Sequence, residues 1–387
     1  MLKRVEVENF KSLKKAVLEP GELTILTGMN SAGKTSMLQS LAFLKQSIAA
    51  KEATYDGNLV RLGSFKDVIF NHDMSLNLHI ALNVKLRGKE ITYDVKTWAD
   101  RVREEFYVGE KLNWGWDSRS PGVVEPFQRI FLGQAAKGYG GGEYNPELTP
   151  EEIGETQVLQ RALLEWFDNL IPLAVVRGFT KYAYPLLAGP PQMGEVAKRS
   201  GELQLLEEWL SSLILYRVNE SRRDPSLRPL LDKVGERLGR LGVEISPYIL
   251  GGPSVVIDLI EDDLWVSAVN AGYGINQIVP AVALGTLSLP GTLVTIEEPE
   301  IHLHPKTQKK VADILCEIAE EGKQLIFSTH SPFLVNTIHQ RYLEQSPLDV
   351  RLFYVEKIKG VANYSQFDIK DADILAKCGL ELEEIMK

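Results

Sequence analysis

The chain has 387 residues, 44% of them hydrophobic and 25% charged, the balance of a soluble globular protein with material for two or three domains. Its net charge of −9 excludes a protein that coats nucleic acid by bulk electrostatics, while a local basic patch stays open. Cys316 and Cys378 are its only cysteines, which excludes a disulfide framework. With no signal-peptide run and no apolar stretch of membrane-spanning length, the expectation is a cytoplasmic protein without membrane attachment.

Residues 2–8 alternate apolar and charged, with Leu2, Val5 and Val7 against Arg4, Glu6 and Glu8, as a half-buried strand does, and residues 16–18 supply a hairpin partner. A strand over 22–27 then runs into Gly28-Met29-Asn30-Ser31-Ala32-Gly33-Lys34-Thr35-Ser36 and a helix from Thr35 to Lys45. The spacing G-x-x-x-x-G-K-[ST] between strand and helix is that of a phosphate-binding loop. Its glycines let the backbone wrap so that N–H groups and the helix N-terminus point at phosphate oxygens. Lys34 is placed to reach the β- and γ-phosphates of ATP, and the Thr35 hydroxyl to ligate Mg²⁺. The competing reading is a glycine-rich turn before an ordinary helix. Alternation over 76–84 and a strand at 91–95 add an antiparallel layer.

From 100 to 242 the character changes, and a mostly helical insertion is expected. It holds a mobile glycine-rich loop at 138–142, a helix start at Thr149-Pro150-Glu151-Glu152, amphipathic stretches near 155–170 and 198–218, and a turn at 189–191. No heptad series is present, so a long coiled-coil arm is not expected. Arg217, Arg222, Arg223, Arg228, Lys233, Arg237 and Arg240 form either a patch for phosphate or nucleic acid or a salt-bridged helix face. The interleaved Glu220, Asp224, Asp232 and Glu236 favour the second.

After Val243 strands return over 254–260 and 264–269, and strand and helix then alternate to about residue 340, which implies a parallel core sheet flanked by helices. The apolar run Thr292–Ile296 ends in Glu297 and Glu298. One carboxylate can order a Mg²⁺ shell while the other polarises the water that attacks a γ-phosphate. A second apolar strand, 323–328, leads to His330. Asn270-Ala271-Gly272-Tyr273-Gly274-Ile275-Asn276-Gln277 is either a plain helix-entry turn or a second anion-binding helix N-terminus. His302 and His304 lack the further ligands of a metal site and read as packing, as does Cys316.

Taken in order, Asn9-Phe10-Lys11-Ser12, residues 28–35, Ile296-Glu297-Glu298-Pro299-Glu300 through Leu303-His304-Pro305, and Ser328-Thr329-His330-Ser331-Pro332 resemble the motifs of ABC/SMC-like ATPases of the OLD (overcoming lysogenization defect) and RecF type. The resemblance implies an α/β fold, a P-loop NTPase with an ABC/SMC-like head, an antiparallel β-layer and a mostly helical insertion. Its lobes would be 1–99, 100–242 and 243–387. It also implies nucleotide contacts from Gly28, Asn30, Ser31, Ala32, Gly33, Lys34, Thr35 and Ser36, Mg²⁺ at Thr35 and Glu297, Glu298 as catalytic base and His330 as γ-phosphate sensor. Asn270, Gly272, Gly274 and Gln277 would form the signature that faces ATP held by a second subunit, in a homodimer or higher even oligomer.

The function implied is ATP binding and hydrolysis whose dimerisation regulates a separately encoded effector, such as an HNH or TOPRIM nuclease, in phage defence. The alternatives are a RecF-like DNA-repair ATPase and an ATP-gated scaffold. Two departures stand out: Glu297 occupies the usual aspartate position, and no glutamine sits where a Q-loop should, since Gln39 and Gln46 lie on the first helix. Val355-Glu356-Lys357 resembles the opening of a TOPRIM domain, but too few residues follow it. A chain lacking that domain is expected, with Glu356 on an edge strand.

Overall fold

The computed structural model describes residues 1–50, 52–117, 143–186, 228–343, 347–371 and 373–378, together with Ser211, Ile214 and Leu215. The expected mobile loop at 138–142, the turn at 189–191, most of the stretch 198–218, Arg217, Arg222, Arg223 and the chain after residue 378 lie outside the described residues.

In chain order the strands and helices are β1 (Leu2–Phe10), β2 (Leu13–Leu18), β3 (Leu23–Thr27), α1 (Lys34–Ala50), α2 (Phe65–Val68), β4 (Leu78–Leu86), β5 (Lys89–Thr97), β6 (Val102–Val108), β7 (Lys111–Asp117) and β8 (Glu143–Tyr144). Then come α3 (Pro150–Asp168), β9 (Leu170–Leu173), β10 (Tyr184–Pro185), α4 (Arg228–Arg240), β11 (Glu244–Ile249), β12 (Ser254–Glu261) and β13 (Leu264–Ser267). The last are α5 (Tyr273–Leu287), β14 (Leu293–Glu297), α6 (Pro305–Glu320), β15 (Gln324–Ser328), α7 (Pro332–Leu343), β16 (Val350–Ile358), β17 (Val361–Phe367) and α8 (Ile374–Lys377). The chain divides into two compact units, 1–21 with 28–172 and 353–366, and 22–27 with 173–352 and 367–387.

The first unit carries a seven-stranded antiparallel sheet in the order β2-β1-β4-β5-β6-β7-β8. Its register follows the alternation of the sequence: Val7 lies opposite Ala16 on one side and Ile80 on the other, and all three are buried. The boundary expected at residue 99 falls inside this sheet, because β6 pairs with β5 from Thr97–Val102 to Ile91–Val108 and β7 extends it. Glu104 concealed this continuation. It occupies a fully buried position on β6, accepts a bond from Tyr93 Oη at 3.1 Å, and has its carboxyl pushed well up by burial. The helix start in the insertion forms as expected: Thr149 Oγ1 accepts from Glu152 N at 3.3 Å, and Glu152 Oε2 accepts from Thr149 N at 2.7 Å.

Lys45, on α1, is buried and donates to the carbonyls of Asp168 and Leu170, where α3 ends. Burial lowers its pKa from 10.5 to about 8 against the pull of Asp168. The unfolded chain therefore holds more protons between these two values, and the stability cost of the buried ammonium, present below pH 8, fades as pH rises to 10.5. Compared with Lys45→Met, the native protein should gain about 3 kcal/mol over that window. Urea unfolding of both proteins at its two ends measures this, and an unchanged difference would contradict it.

The second unit is built on three adjacent parallel strands, β3-β15-β14, in register from Leu293–Gln324 to Glu297–Ser328 and from Leu325–Leu23 to Ser328–Leu26. Every residue of the three strands is buried, so they read as mainly apolar runs without polar alternation, as strands covered on both faces do. A smaller antiparallel sheet, β10-β12-β11 with β13 on β12, lies in the same unit. The described half of the basic cluster binds α6, the partner acids differing from those interleaved in the sequence. Arg237, 5% exposed, bonds Glu321 at 2.8 Å and Thr286 at 2.9 Å, Lys233 bonds Glu321 at 2.9 Å, and Arg240 bonds Glu317 at 2.7 Å. These cations brace a helix pair, which supports the salt-bridged reading. Glu356 lies on β16, which β17 flanks, so the edge position expected for it falls to β17.

Candidate nucleotide site

The phosphate loop leaves the end of β3 and closes at the first turn of α1. Gly28 has φ +135°, and a Cβ there would stand 2.0 Å from the carbonyl oxygen of Val355, so a side chain is excluded by both conformation and space. Met29, Asn30 and Ser31 form an exposed crest, while Ala32, Gly33 and Lys34 are buried. The Lys34 ammonium arches back to the carbonyls of Gly28 at 2.8 Å and Met29 at 2.9 Å. Tyr364 Oη donates to Gly33 O at 2.7 Å and pins the base of the loop. The first turn of α1 has no acidic residue, so nothing there competes with an anion for its free N–H groups. Both glutamines of α1 are engaged in packing, Gln39 with Lys11 Nζ at 2.7 Å and Gln46 with Thr54 O at 2.7 Å and Val60 N at 3.0 Å.

In the second unit the carboxyl ends of three neighbouring strands deliver the remaining groups: β3 leads to the loop, β15 to His330, and β14 ends in Glu297. Ligands of parallel α/β sheets gather at such strand ends. Glu297 is buried, and Glu298 turns out of the strand at φ +45°, a left-handed conformation costing a non-glycine residue about 1 kcal/mol or more. Its N–H donates to Ser328 O at 3.0 Å, and Oε1 stands 3.4 Å from His330 Nε2. The main chain after β15 is fixed by Thr329 N donating to Leu26 O at 2.9 Å.

Glu300, which the sequence reading left without a role, holds this turn in place. Its Oε1 accepts from Thr329 Oγ1 and from His330 N, both at 2.7 Å. Burial raises its pKa, and its Oε2 has no hydrogen-bond partner. The third glutamate of Glu297-Glu298-Pro299-Glu300 was the available signal. Arg177 was also missed: buried, it donates to the carbonyl oxygens of Glu297 at 2.7 Å and Glu298 at 3.2 Å, and no local pattern announced it.

His302 and His304 serve packing. The Tyr273 ring meets His302 edge-on at 4.9 Å, and His304 Nδ1 accepts from Lys306 N at 3.2 Å to cap α6. Gln308 ties the block to the histidine turn, donating to Leu303 O at 2.8 Å and accepting from Ser331 Oγ at 2.5 Å. Among the described residues no group of three His, Cys, Asp or Glu side chains is placed to hold a metal. The Thr35 hydroxyl and the buried Glu297 carboxylate are each hard oxygen donors, the kind of ligand that Mg²⁺ takes.

The turn before α5 divides in two. Asn270, Gly272 and Tyr273 are exposed, and a Cβ on Gly272 would meet nothing within 4 Å. A Cβ on Gly274 would stand 2.5 Å from His302 O. Gln277, expected among the partner-facing residues, is 2% exposed and its Oε1 is taken by Arg177 N at 2.7 Å and Gly178 N at 3.0 Å of its own chain. Gly272→Asp should therefore leave melting temperature and ATP affinity unchanged while abolishing ATP-dependent dimers in light scattering, because a carboxylate repels the incoming phosphate. Gly274→Ala should instead lower the melting temperature of the protomer itself. Dimers of Gly272→Asp formed on ATP would contradict the partner-facing role expected of the turn.

A phosphate loop after the first of three parallel strands, with paired acids and a histidine after the other two, is the arrangement of a P-loop fold of the ABC/SMC-like head type. Residues 1–97 match a family model described as an AAA ATPase domain, and residues 198–336 match an AAA domain model whose description names the AbiEii toxin of a type IV toxin–antitoxin system. Over 355 residues, 87% of its length, the chain is 23% identical to the OLD nuclease of Thermus scotoductus, of which it spans 60%. Over 78 residues, 20% of its length, it is 32% identical to the DNA replication and repair protein RecF of Teredinibacter turnerae, of which it spans 18%. An SMC head domain with an extended coiled coil from Pyrococcus furiosus shares the fold, with a TM-score of 0.54 at 15% identity, covering 100% of this chain and 99% of that one. The chain is thus similar, in separate stretches, to AAA ATPase domains, to an OLD nuclease and to RecF, and it has the fold of an ABC/SMC-like ATPase head. No described helix is long and apolar enough to cross a membrane.

Proposed function

We propose that the protein binds MgATP, dimerises on it and hydrolyses it, and that this cycle regulates a separately encoded effector such as a nuclease, in phage defence. The carrying observation is the arrival of the phosphate loop, Glu297 with Glu298, and His330 at the ends of three adjacent parallel strands. In this reading the N–H groups of residues 30–36 cradle the phosphates, and Lys34 leaves its loop carbonyls for the β- and γ-oxygens. Thr35 and Glu297 would hold Mg²⁺, which neutralises charge on the phosphates when bound. Glu298 takes the proton of the attacking water, and His330, 3.4 Å from it, senses the γ-phosphate. Glu300 keeps His330 in place.

The likeness to OLD nucleases and the toxin–antitoxin family description support an effector-linked role. The RecF match supports a DNA-repair reading over only a fifth of the chain, and the pairing of Lys233, Arg237 and Arg240 with α6 removes one basic surface from it. Affinity capture from the native host, with and without ATP, separates the readings. A nuclease retained only with ATP supports regulation. DNA binding by the isolated protein that needs ATP and falls steeply with salt would replace it with the RecF-like role.

A further inference from the structure

Between β9 and β10 a short irregular run docks on the first turn of α5. Arg177 N and Gly178 N donate to Gln277 Oε1 at 2.7 and 3.0 Å. Phe179 N donates to Asn276 Oδ1 at 2.7 Å, and Asn276 Nδ2 returns a bond to Phe179 O at 3.0 Å. From the middle of this run Arg177, 3% exposed, sends its side chain into the interior. Nε donates to Gln277 O at 2.9 Å, Nη1 to Ala174 O at 3.0 Å and Glu297 O at 2.7 Å, and Nη2 to Glu298 O at 3.2 Å. One planar fork therefore spans main-chain oxygens of the helix turn after Gly272 and of both glutamates at the end of β14.

Burial lowers the Arg177 pKa to about 10 against the opposing pull of Glu300, Glu297 and Glu298, so the group stays cationic at neutral pH. A lysine, a point donor on a flexible stem, cannot bridge both sets of carbonyls at once. Glu298 sits at φ +45°, and the bond to its carbonyl helps hold it there.

We propose that Arg177 is a positioning residue for ATP hydrolysis, joining the Gly272–Gly274 turn to Glu297 and Glu298 so that engagement of the turn by a partner's nucleotide sets the carboxylate that activates water. This rests on Glu298 as base and on the turn as a partner-facing element. The test compares wild type, Arg177→Lys and Gln277→Met for melting temperature, ATP affinity, ATP-dependent dimer fraction and kcat. Arg177→Lys should keep ATP affinity within about threefold and still form dimers, while kcat falls about thirtyfold or more, the scale on which small misplacements of a reacting group act. Gln277→Met, which loosens the docked run but retains the fork, should lose about tenfold in kcat with affinity kept.

Parallel loss of affinity, dimers and melting temperature in both variants would make Arg177 a structural strut and overturn the inference. Wild-type kcat in Arg177→Lys, beside an active wild type, would overturn it alone. Should Arg177→Lys fail to fold, unchanged kcat in Gln277→Met would do the same. A wild type that binds ATP and never turns it over would remove the ATPase reading, and this inference with it.

Discussion

Replacing Lys34 with alanine should abolish useful nucleotide binding while leaving the protomer folded. The ammonium bonds the carbonyls of Gly28 and Met29 in its own loop, contacts local to that loop, so the apo protein should lose little when it is removed. With ATP bound, the same group would make two charge-assisted bonds, each contributing about 1.5–3 kcal/mol. Their loss corresponds to a fall in affinity of about 10²- to 10³-fold or more. The check is a nucleotide titration alongside thermal melting: the variant should melt close to wild type without ATP and gain nothing when ATP is added. Undiminished ATP affinity would remove the phosphate-loop assignment.

Glu298→Gln should do the opposite, keeping ATP and losing turnover. The amide fits the same strained turn and retains the N–H bond to Ser328 O, but it cannot accept a proton from water. General-base catalysis is worth about 10²- to 10⁴-fold, so single-turnover hydrolysis should slow by that order while affinity stays within a few-fold. If two protomers share each nucleotide, this variant should accumulate as an ATP-bound dimer in light scattering. Turnover equal to wild type would place the base elsewhere.

Those residues were legible in the sequence because each belongs to a contiguous pattern whose spacing states its geometry. A strand, a glycine-bounded loop and a helix can be read within a few residues, and so can an apolar strand ending in two acids. The core strands were also clear, since burial on both faces leaves mainly apolar runs without polar alternation. What escaped depended on distant partners. Glu104 made β6 look unlike a strand, because the bond that one of its carboxyl oxygens accepts comes from Tyr93 on the neighbouring strand. Lys233, Arg237 and Arg240 answer to Glu317 and Glu321 on another helix, not to the acids interleaved among them. Gln277 looked partner-facing by its place after the glycines, yet it is turned inward by a segment about a hundred residues earlier in the chain. Arg177 lies in that segment with no motif around it, and its role is visible only through the carbonyls it joins.

The central claim is that each ATP is shared between two chains, and mixing two inactive variants tests it most directly. Lys34→Ala lacks the phosphate grip but keeps the Gly272 turn, whereas Gly272→Asp keeps the grip and lacks the turn. Neither should hydrolyse ATP alone. Mixed in equal amounts and assayed for steady-state turnover, they should recover up to about half of wild-type activity, since neither variant dimerises alone, every dimer formed would be mixed and each would hold one complete site of two. Two folded variants that stay inactive when mixed, or a Gly272→Asp protein fully active on its own, would contradict the shared site.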